Sequence, residues 1–359
     1  MKNLLTLVAM AFSMILFGQE DSVRISPLKI SGYAEVYYNY DFGNPQNHQR
    51  PGFIYSHNRH NEINLNLVLI KAEYATENIR GNLALAAGTY MNANYAAEEG
   101  VLKNIYEANV GIKLSKTQNI WLDAGILPSH IGWESAIGKD NYTLIRSLAA
   151  ENSPYFETGA RLSYNDKSGK WYFAFLVLNG WQRIARADGN NTPAFGHQLT
   201  YQINDKMTLN SSSFVGNDKA YSIRQMRYFH NLYGIFKLSK KWALTAGFDI
   251  GAEQKTTGSK QYNSWYTPAI ILKFQPNENS SLAMRGEYFS DKNGVIIPSL
   301  TPNGFQTFGY SINYDYRIAT NVLWRMEARS LNSKDPLFFK NNKASHDNFL
   351  LSTSLSIAF

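Results

Sequence analysis

Acidic and basic side chains recur at every second position in several apolar stretches of the chain. Residues that alternate in this way share one face of a β-strand, because successive side chains of a strand point to opposite faces. Opposite charges on one face can set the electric field of a water-filled channel, or they can pair and brace the wall. Both interpretations stay open for the predicted lumen-facing residues Asp123, Glu157, Arg161, Arg285, Glu287, Arg325, Glu327 and Arg329.

The long connection at residues 128–154 is the second source of charged side chains. Its segment Leu144–Ala150 is mostly apolar and could pack against an inner wall. We predict that this connection folds inward and narrows the lumen, and the alternative is a loop exposed on the outer surface. The residues predicted to help form the constriction are Glu134, Lys139, Asp140 and Arg146.

Strands are the elements that would position these side chains. After residue 18 no segment has the ~18 consecutive apolar residues of a membrane-spanning helix, so helical spans are not expected. Period-two alternation instead recurs in sixteen segments, counting 171–181, whose facing is ambiguous because it is nearly all apolar. On this pattern Leu67, Leu69 and Phe156 are predicted to face lipid.

The connections between these segments alternate between seven short turns and eight long loops. An even number of strands with this alternation is typical of bacterial outer-membrane barrels, whose turns are periplasmic and whose loops are extracellular. The 23 Tyr and 20 Phe residues suit the aromatic girdles of such a barrel. The predicted fold is an all-β, transmembrane antiparallel β-barrel of about sixteen strands, with short periplasmic turns and long extracellular loops.

The two ends of the chain carry further signals. Lys2, the apolar run Leu4–Phe17 and the small residue Gly18 form the pattern of a secretory signal peptide. Residues 1–18 are therefore predicted to be a signal peptide, and residues 19–359 the outer-membrane barrel. Phe359 continues the lipid-facing positions of the last strand, and such a terminal aromatic is similar to the signal that the barrel-assembly machinery recognises.

Other chemistries find little support in the sequence. There are no cysteines, and the net charge of +7 is spread along the chain, so neither thiolate chemistry nor nucleic-acid binding is expected. The sequence has no H-E-x-x-H, G-x-S-x-G, P-loop or G-x-G-x-x-G motif. We expect no metal and no cofactor, although two histidine groups leave alternatives open. His48, His57 and His60 lie together in the first long loop, and His197 and His230 fall on predicted lipid-facing positions.

Several stretches resemble the β-barrel porins of the OmpL-like type found in Bacteroidetes-like bacteria. They are ISGYAEVYYNY at 30–40, RHNEINLNL at 59–67, GILPSHIGWES at 125–135 and ENSPYFETGARLSY at 151–164. The resemblance runs over nearly the whole chain after the signal peptide. It implies a passive channel and carries over no catalytic residue and no selectivity.

The function predicted from all of this is a porin of the bacterial outer membrane through which small hydrophilic solutes diffuse passively. A barrel of 16–18 strands is wide enough for an aqueous channel. The expected partners are outer-membrane lipids, the assembly machinery, small solutes and two further copies in a homotrimer. One alternative is an adhesion or structural barrel, which a packed lumen would favour. Another is a lipid-modifying enzyme whose base is His197 or His230.

Overall fold

The computed structural model describes residues 26–359, so the predicted signal peptide lies outside the described residues. In this range sixteen strands form one closed antiparallel barrel, as predicted. A separate two-stranded hairpin, β16 (Phe338–Lys340) and β17 (Lys343–Ser345), lies in the last long loop. The barrel strands are β1 (Leu28–Asp41), β2 (Ile63–Ala75), β3 (Ile79–Ala87), β4 (Ile105–Lys113), β5 (Asn119–Pro128), β6 (Phe156–Asn165), β7 (Trp171–Leu178), β8 (Ala194–Asn204), β9 (Met207–Gly216), β10 (Arg227–Lys237), β11 (Trp242–Gln254), β12 (Tyr262–Phe274), β13 (Ser280–Asp291), β14 (Phe305–Ala319), β15 (Val322–Ser333) and β18 (Asp347–Ala358).

The barrel closes where the first strand pairs with the last. The pairs run from Tyr33 with Ala358 to Asp41 with Leu350. Phe359 extends this seam, because its backbone N–H donates to the Gly32 carbonyl at 3.0 Å and its carbonyl accepts from the Gly32 N–H at 2.7 Å. Its ring lies directly over Gly32, where a Cβ atom would collide with it. Closure pairs the backbone groups of every strand, which a lipid environment requires.

Alternation along the strands separates a lipid face from a lumen face. In β18 the apolar Leu351, Leu355 and Ile357 are exposed on the outside, while the intervening serines are buried inside. The ambiguous segment also alternates in the structure. In β7 the side chains of Phe173 and Phe175 point outward, and those of Ala174 and Leu176 are buried in the lumen.

Two predictions of facing were wrong. A β-bulge in β2 pairs Glu35 with Leu67 but Val36 with Leu65, so one residue is extra on β2. A one-residue shift reverses the facing of every later side chain, so Leu67 and Leu69 turn into the lumen, where they are 0% and 4% exposed. Phe156 is 1% exposed instead of facing lipid, because its ring stacks on Tyr95 at a centroid distance of 3.9 Å.

The connections alternate between short and long as predicted. The turns at 76–78, 114–118, 166–170, 205–206, 238–241, 275–279 and 320–321 lie at the end of the barrel that holds both Leu28 and Ala358. At the other end lie loop 1 (42–62), loop 2 (88–104), loop 3 (129–155), loop 4 (179–193), loop 5 (217–226), loop 6 (255–261), loop 7 (292–304) and loop 8 (334–346).

Helical structure in residues 26–359 is confined to these loops. The two α-helices are α1 (Thr89–Asn94) and α2 (Leu148–Glu151), and three 3-10 turns cover Gly100–Asn104, Gly138–Asp140 and Tyr221–Ile223. No helix of the described part is long and apolar enough to cross a membrane.

Candidate functional site

Loop 3 crosses the lumen and binds the wall opposite its own strands. It connects β5 and β6, and β13 lies eight strands away around the barrel of sixteen. Backbone N–H groups of the loop donate to side chains of that wall: Leu144 to the Asn313 amide at 3.0 Å, and Ile145 to the Glu327 carboxylate at 2.6 Å. The predicted inward fold of this connection is confirmed.

Three arginines of this wall, Arg285, Arg325 and Arg329, stabilise the position of loop 3. We call the wall formed by β13, β14 and β15 the arginine wall. Arg285 bonds Glu327 at 3.0 Å and the Ile145 carbonyl at 2.5 Å. Arg325 binds both carboxylate oxygens of Asp315, at 2.7 and 3.0 Å. Such bidentate pairs are among the stronger charge-assisted hydrogen bonds.

Contacts from the arginine wall continue into the loop. Arg325 also donates to the loop carbonyls of Gly138 at 2.6 Å and Asn141 at 3.0 Å. Arg329 donates to Glu287 at 2.7 Å, and Glu287 accepts the Leu148 N–H at 2.5 Å. The wall arginines are at most 2% exposed, so their charges serve carboxylates and carbonyls rather than water.

Two charged residues of loop 3 stabilise its own turn. The Arg146 guanidinium donates to the carbonyls of Leu144 at 2.8 Å and Ala136 at 2.6 Å. The Glu134 carboxylate accepts from the N–H and the hydroxyl of Ser147, the residue that caps α2. Burial raises the pKa of Glu134, against the nearby Arg285 charge and the Ser147 bond, which lower it.

His130 anchors the start of loop 3. Its Nδ1 lies 2.6 Å from the Glu157 carboxylate and its Nε2 lies 2.8 Å from the Ser213 carbonyl. Both neighbours accept hydrogen bonds, and only the imidazolium form offers an N–H on each ring nitrogen. Burial lowers the pKa of His130, but the Glu157 carboxylate and the hydrogen bond to Ser213 together outweigh burial and raise this pKa.

Loops 1 and 2 pack against loop 3 within the extracellular half of the barrel. The Glu151 carboxylate accepts the N–H groups of Tyr55 at 2.8 Å and Ser56 at 3.0 Å, and burial raises its pKa. Tyr90 and Met91 of α1 join an apolar cluster with lumen-facing residues. A second cluster unites residues of loops 1, 3, 7 and 8 with inner-wall aromatics. Much of this half is therefore packed.

The wall on the other side keeps charged groups that water reaches. Asp123 accepts from Arg80 at 2.5 Å and from Arg161 at 3.2 Å. Lys71 lies 2.8 Å from Glu107. Arg80 and Arg161 are 32% and 21% exposed at their side chains. The basic members of these pairs are therefore in contact with water, unlike the arginines that bind loop 3.

The structure divides the residues predicted from sequence into groups. One group lies on the arginine wall next to loop 3, and all of its members are buried: Arg285, Glu287, Arg325, Glu327 and Arg329. Loop 3 itself contributes Glu134 and Arg146. Asp123 and Arg161 form a separate pair, and Glu157 belongs to the His130 anchor. Lys139 and Asp140 are exposed and contact each other at 2.7 Å. Their part in a constriction stays a prediction.

Sequence reasoning did not single out Asp315 or Asn313, although both hold the arginine wall together. Asn313 donates to Asp315 at 2.7 Å and accepts the Leu144 N–H. Both alternate with apolar neighbours in β14, so their facing was readable from the sequence. Their partners were not, because those partners lie on β15 and in loop 3.

The histidines fall into two environments. In loop 1, His57 is buried and lies 3.2 Å from the Glu35 carboxylate. Within residues 26–359 no group of three or more His, Cys, Asp or Glu side chains could hold a metal ion. On the outer wall His197 lies 2.5 Å from the Ser213 hydroxyl, and the Ser211 hydroxyl lies 3.3 Å from both His197 and His230.

Comparisons with known proteins agree with this geometry. The sequence model of the family described as "Putative beta-barrel porin-2, OmpL-like" matches residues 27–359. No curated protein matches the chain. Among solved structures, the anion-selective porin from Comamonas acidovorans has a TM-score of 0.61 at 7% identity, with coverage of 92% of this chain and 99% of that one.

Two further structures are similar. The outer membrane channel DcaP of Acinetobacter baumannii has a TM-score of 0.56 at 11% identity, covering 96% of this chain and 100% of that one. The trimer form of in-vitro folded OmpT from Vibrio cholerae has a TM-score of 0.59 at 8% identity, covering 92% and 98%. At these identities the similarity concerns the fold alone.

Proposed function

Because the chain belongs to this OmpL-like porin family and is an outer-membrane channel for passive diffusion, we propose that its conductance is set by loop 3. The observation that supports this is the loop's path from β5 to the arginine wall, with N–H groups of Ile145 and Leu148 bound to wall carboxylates. A loop held at both sides of the lumen leaves room only for small solutes.

The test is conductance in planar bilayers together with swelling of liposomes in sugars, amino acids and phosphate. We expect the wild-type protein to conduct and to admit small solutes while excluding larger sugars. Failure of every solute and ion to pass would contradict the channel.

The residues that we propose for the constriction act in two ways. Arg146, Glu134 and the five charged residues of the arginine wall fix the shape and position of loop 3. Lys139, Asp140 and Arg161 face the remaining water and influence which solutes enter. Asp123 is buried and acts by holding Arg161, and Glu157 acts through His130.

A structural or adhesion barrel is the second candidate function. The observation that favours it is the packing of the extracellular half by two apolar clusters to which loops 1, 2, 3, 4, 7 and 8 contribute. The same conductance experiment separates the two, since a barrel sealed by this packing conducts nothing.

We also propose how the protein reaches and occupies its membrane. Residues 1–18 direct export and are cleaved, residues 19–359 form the barrel, and Phe359 contributes to recognition by the assembly machinery. Outer-membrane lipids contact the apolar outer face. N-terminal sequencing of the protein isolated from outer membranes tests the first point, and a start at Gln19 is expected.

A homotrimer is proposed from one of the similar structures, the trimer form of OmpT. Cross-linking in intact membranes tests it, with a trimer band as the expected result. No enzymatic activity is proposed for the outer-wall residues His197 and Ser213. Phospholipid hydrolysis by the purified protein that is lost in His197→Ala would contradict this view.

A further inference from the structure

A cavity of about 280 Å³ opens between loop 3 and the periplasmic end of β10, β11 and β12. Tyr142 is the residue that loop 3 contributes to it. Four lysines line it, and no Asp or Glu does. The complete lining is Tyr142, Lys237, Ser239, Lys240, Lys241, Trp242, Ala243, Lys273 and Gln275. We call this space the lysine cavity.

Strand register explains why there is room for the cavity. Lys237 pairs with Ala243 across β10 and β11, and Ala243 pairs with Lys273 across β11 and β12. The three residues share the lumen face, and the small alanine between two long side chains leaves space. The Lys273 ammonium lies 5.0 Å from the centre of the Tyr142 ring, a cation–π distance that links the wall to loop 3.

The charges of the lysine cavity are not neutralised by acids. In the part of the chain that the structure describes, the lysine ion pairs within 4.0 Å involve Lys71, Lys139 and Lys219. The four cavity lysines take part in none of them. Asp315, on the neighbouring wall, is already held by both guanidinium contacts of Arg325.

We infer that the lysine cavity is an anion-binding site at the periplasmic mouth of the channel and makes the channel prefer small anions, such as carboxylates and phosphate. The inference rests on the proposed channel function and adds the class of solute.

Physical reasons support a site that both attracts and releases its solute. Rings of Lys or Arg are one way in which pores select anions. Unpaired charges in a narrow opening raise the local concentration of counter-ions, and at physiological ionic strength they act over about 8 Å. A lysine ammonium is a strongly hydrated point charge on a flexible stem, so an anion is held loosely and can leave.

The experiment is the reversal potential of the intact protein in a planar bilayer across a KCl gradient. The test variant carries Lys240→Gln, Lys241→Gln and Lys273→Gln. The control variant carries Lys116→Gln, Lys167→Gln and Lys170→Gln, which removes the same charge from other periplasmic turns outside the cavity. Heat-dependent migration on gels confirms that all three barrels are folded.

We expect the reversal potential of the wild type to have the sign of the chloride equilibrium potential. In the test variant it should shift clearly toward the potassium equilibrium potential, and in the control variant it should shift little. Inorganic phosphate added to both sides is expected to reduce the KCl current of the wild type and control more than that of the test variant.

The possible failures are distinguishable. A wild-type barrel that conducts nothing would overturn the channel and this inference with it. A conducting barrel with equal shifts in both triple variants would overturn the cavity as the site and leave the channel standing. Cation selectivity of the wild type would overturn the inference alone.

Discussion

The arginine wall and the lysine cavity both present basic side chains to the lumen, on neighbouring parts of the same barrel. In the arginine wall each guanidinium has a carboxylate within 3.0 Å, and Arg285 and Arg325 also bind loop carbonyls. In the lysine cavity Ala243 separates Lys237 from Lys273, and the ammonium groups have no acidic neighbour among the lining residues.

This difference shows that basic side chains stabilise the structure in the arginine wall and remain available to bind solutes in the lysine cavity. Burying a charge costs much free energy unless the charge is paired and hydrogen-bonded. The guanidinium groups of the arginine wall are therefore occupied by the carboxylates and loop carbonyls that they bind. In the lysine cavity Lys237, Lys240 and Lys241 are exposed to water and need no acidic partner, while Lys273 is half-buried and packs on the Tyr142 ring. Four predictions test this division, from the largest expected effect to the smallest.

The largest effect should come from removing the loop that the arginine wall holds. Deletion of residues 134–147 takes away Glu134 and Arg146 and uncovers Arg285, Arg325 and Arg329. Single-channel recordings should show a several-fold higher conductance, because the lumen is no longer crossed. Unchanged conductance and selectivity in a folded barrel would contradict the constriction. A second variant, Ile145→Pro, keeps the loop but removes the N–H that Glu327 binds together with the buried isoleucine side chain. It should give a smaller rise.

The second prediction concerns stability. Arg325→Met leaves Asp315 buried without its partner and should lower the free energy of unfolding by about 3–5 kcal/mol. Urea unfolding followed by tryptophan fluorescence measures the loss. Asp315→Asn combined with Arg325→Met should recover part of it. Lys273→Met is the control from the lysine cavity, and a loss there as large as in Arg325→Met would remove the distinction between the two regions.

The third prediction is a pH dependence of the loop 3 anchor. Because the folded pKa of His130 is raised, its pairing with Glu157 contributes fully below the unfolded value of about 6.5. The contribution is lost as the pH rises through the folded pKa. Current noise from loop motion should therefore increase as the pH rises through the folded pKa of His130. His130→Gln should show no such change, and an identical pH profile in both proteins would refute the role of His130.

The smallest effect should follow from Lys139→Gln with Asp140→Asn. Their side chains are 41% and 45% exposed, and exposed ion pairs contribute only about 0–1 kcal/mol. Urea unfolding should barely change, and conductance should shift slightly. A loss comparable to that of Arg325→Met would mean that exposure does not separate structural pairs from solvated ones here.

Much of the barrel could be predicted from the sequence, since period-two alternation in a strand corresponds directly to its two faces. The alternation of serines with Leu355 and Ile357 in β18 is an example. The facing of Leu67 and Leu69 could not be predicted in this way, because the bulge depends on the pairing of β2 with β1. Phe156 was misplaced for a similar reason, since Tyr95 reaches it from another loop.

The sequence alone determined the closed β-barrel, its turns and loops, and which charged residues point inward. It did not determine their use, because alternation gives the facing of a side chain and not its partner. Only the tertiary structure decided that Arg285, Arg325 and Arg329 stabilise a loop that starts six to eight strands away, while Lys237 and Lys273 line a cavity without acidic residues. The reason is that the pairing and hydration of a charge depend on contacts between residues far apart in the chain.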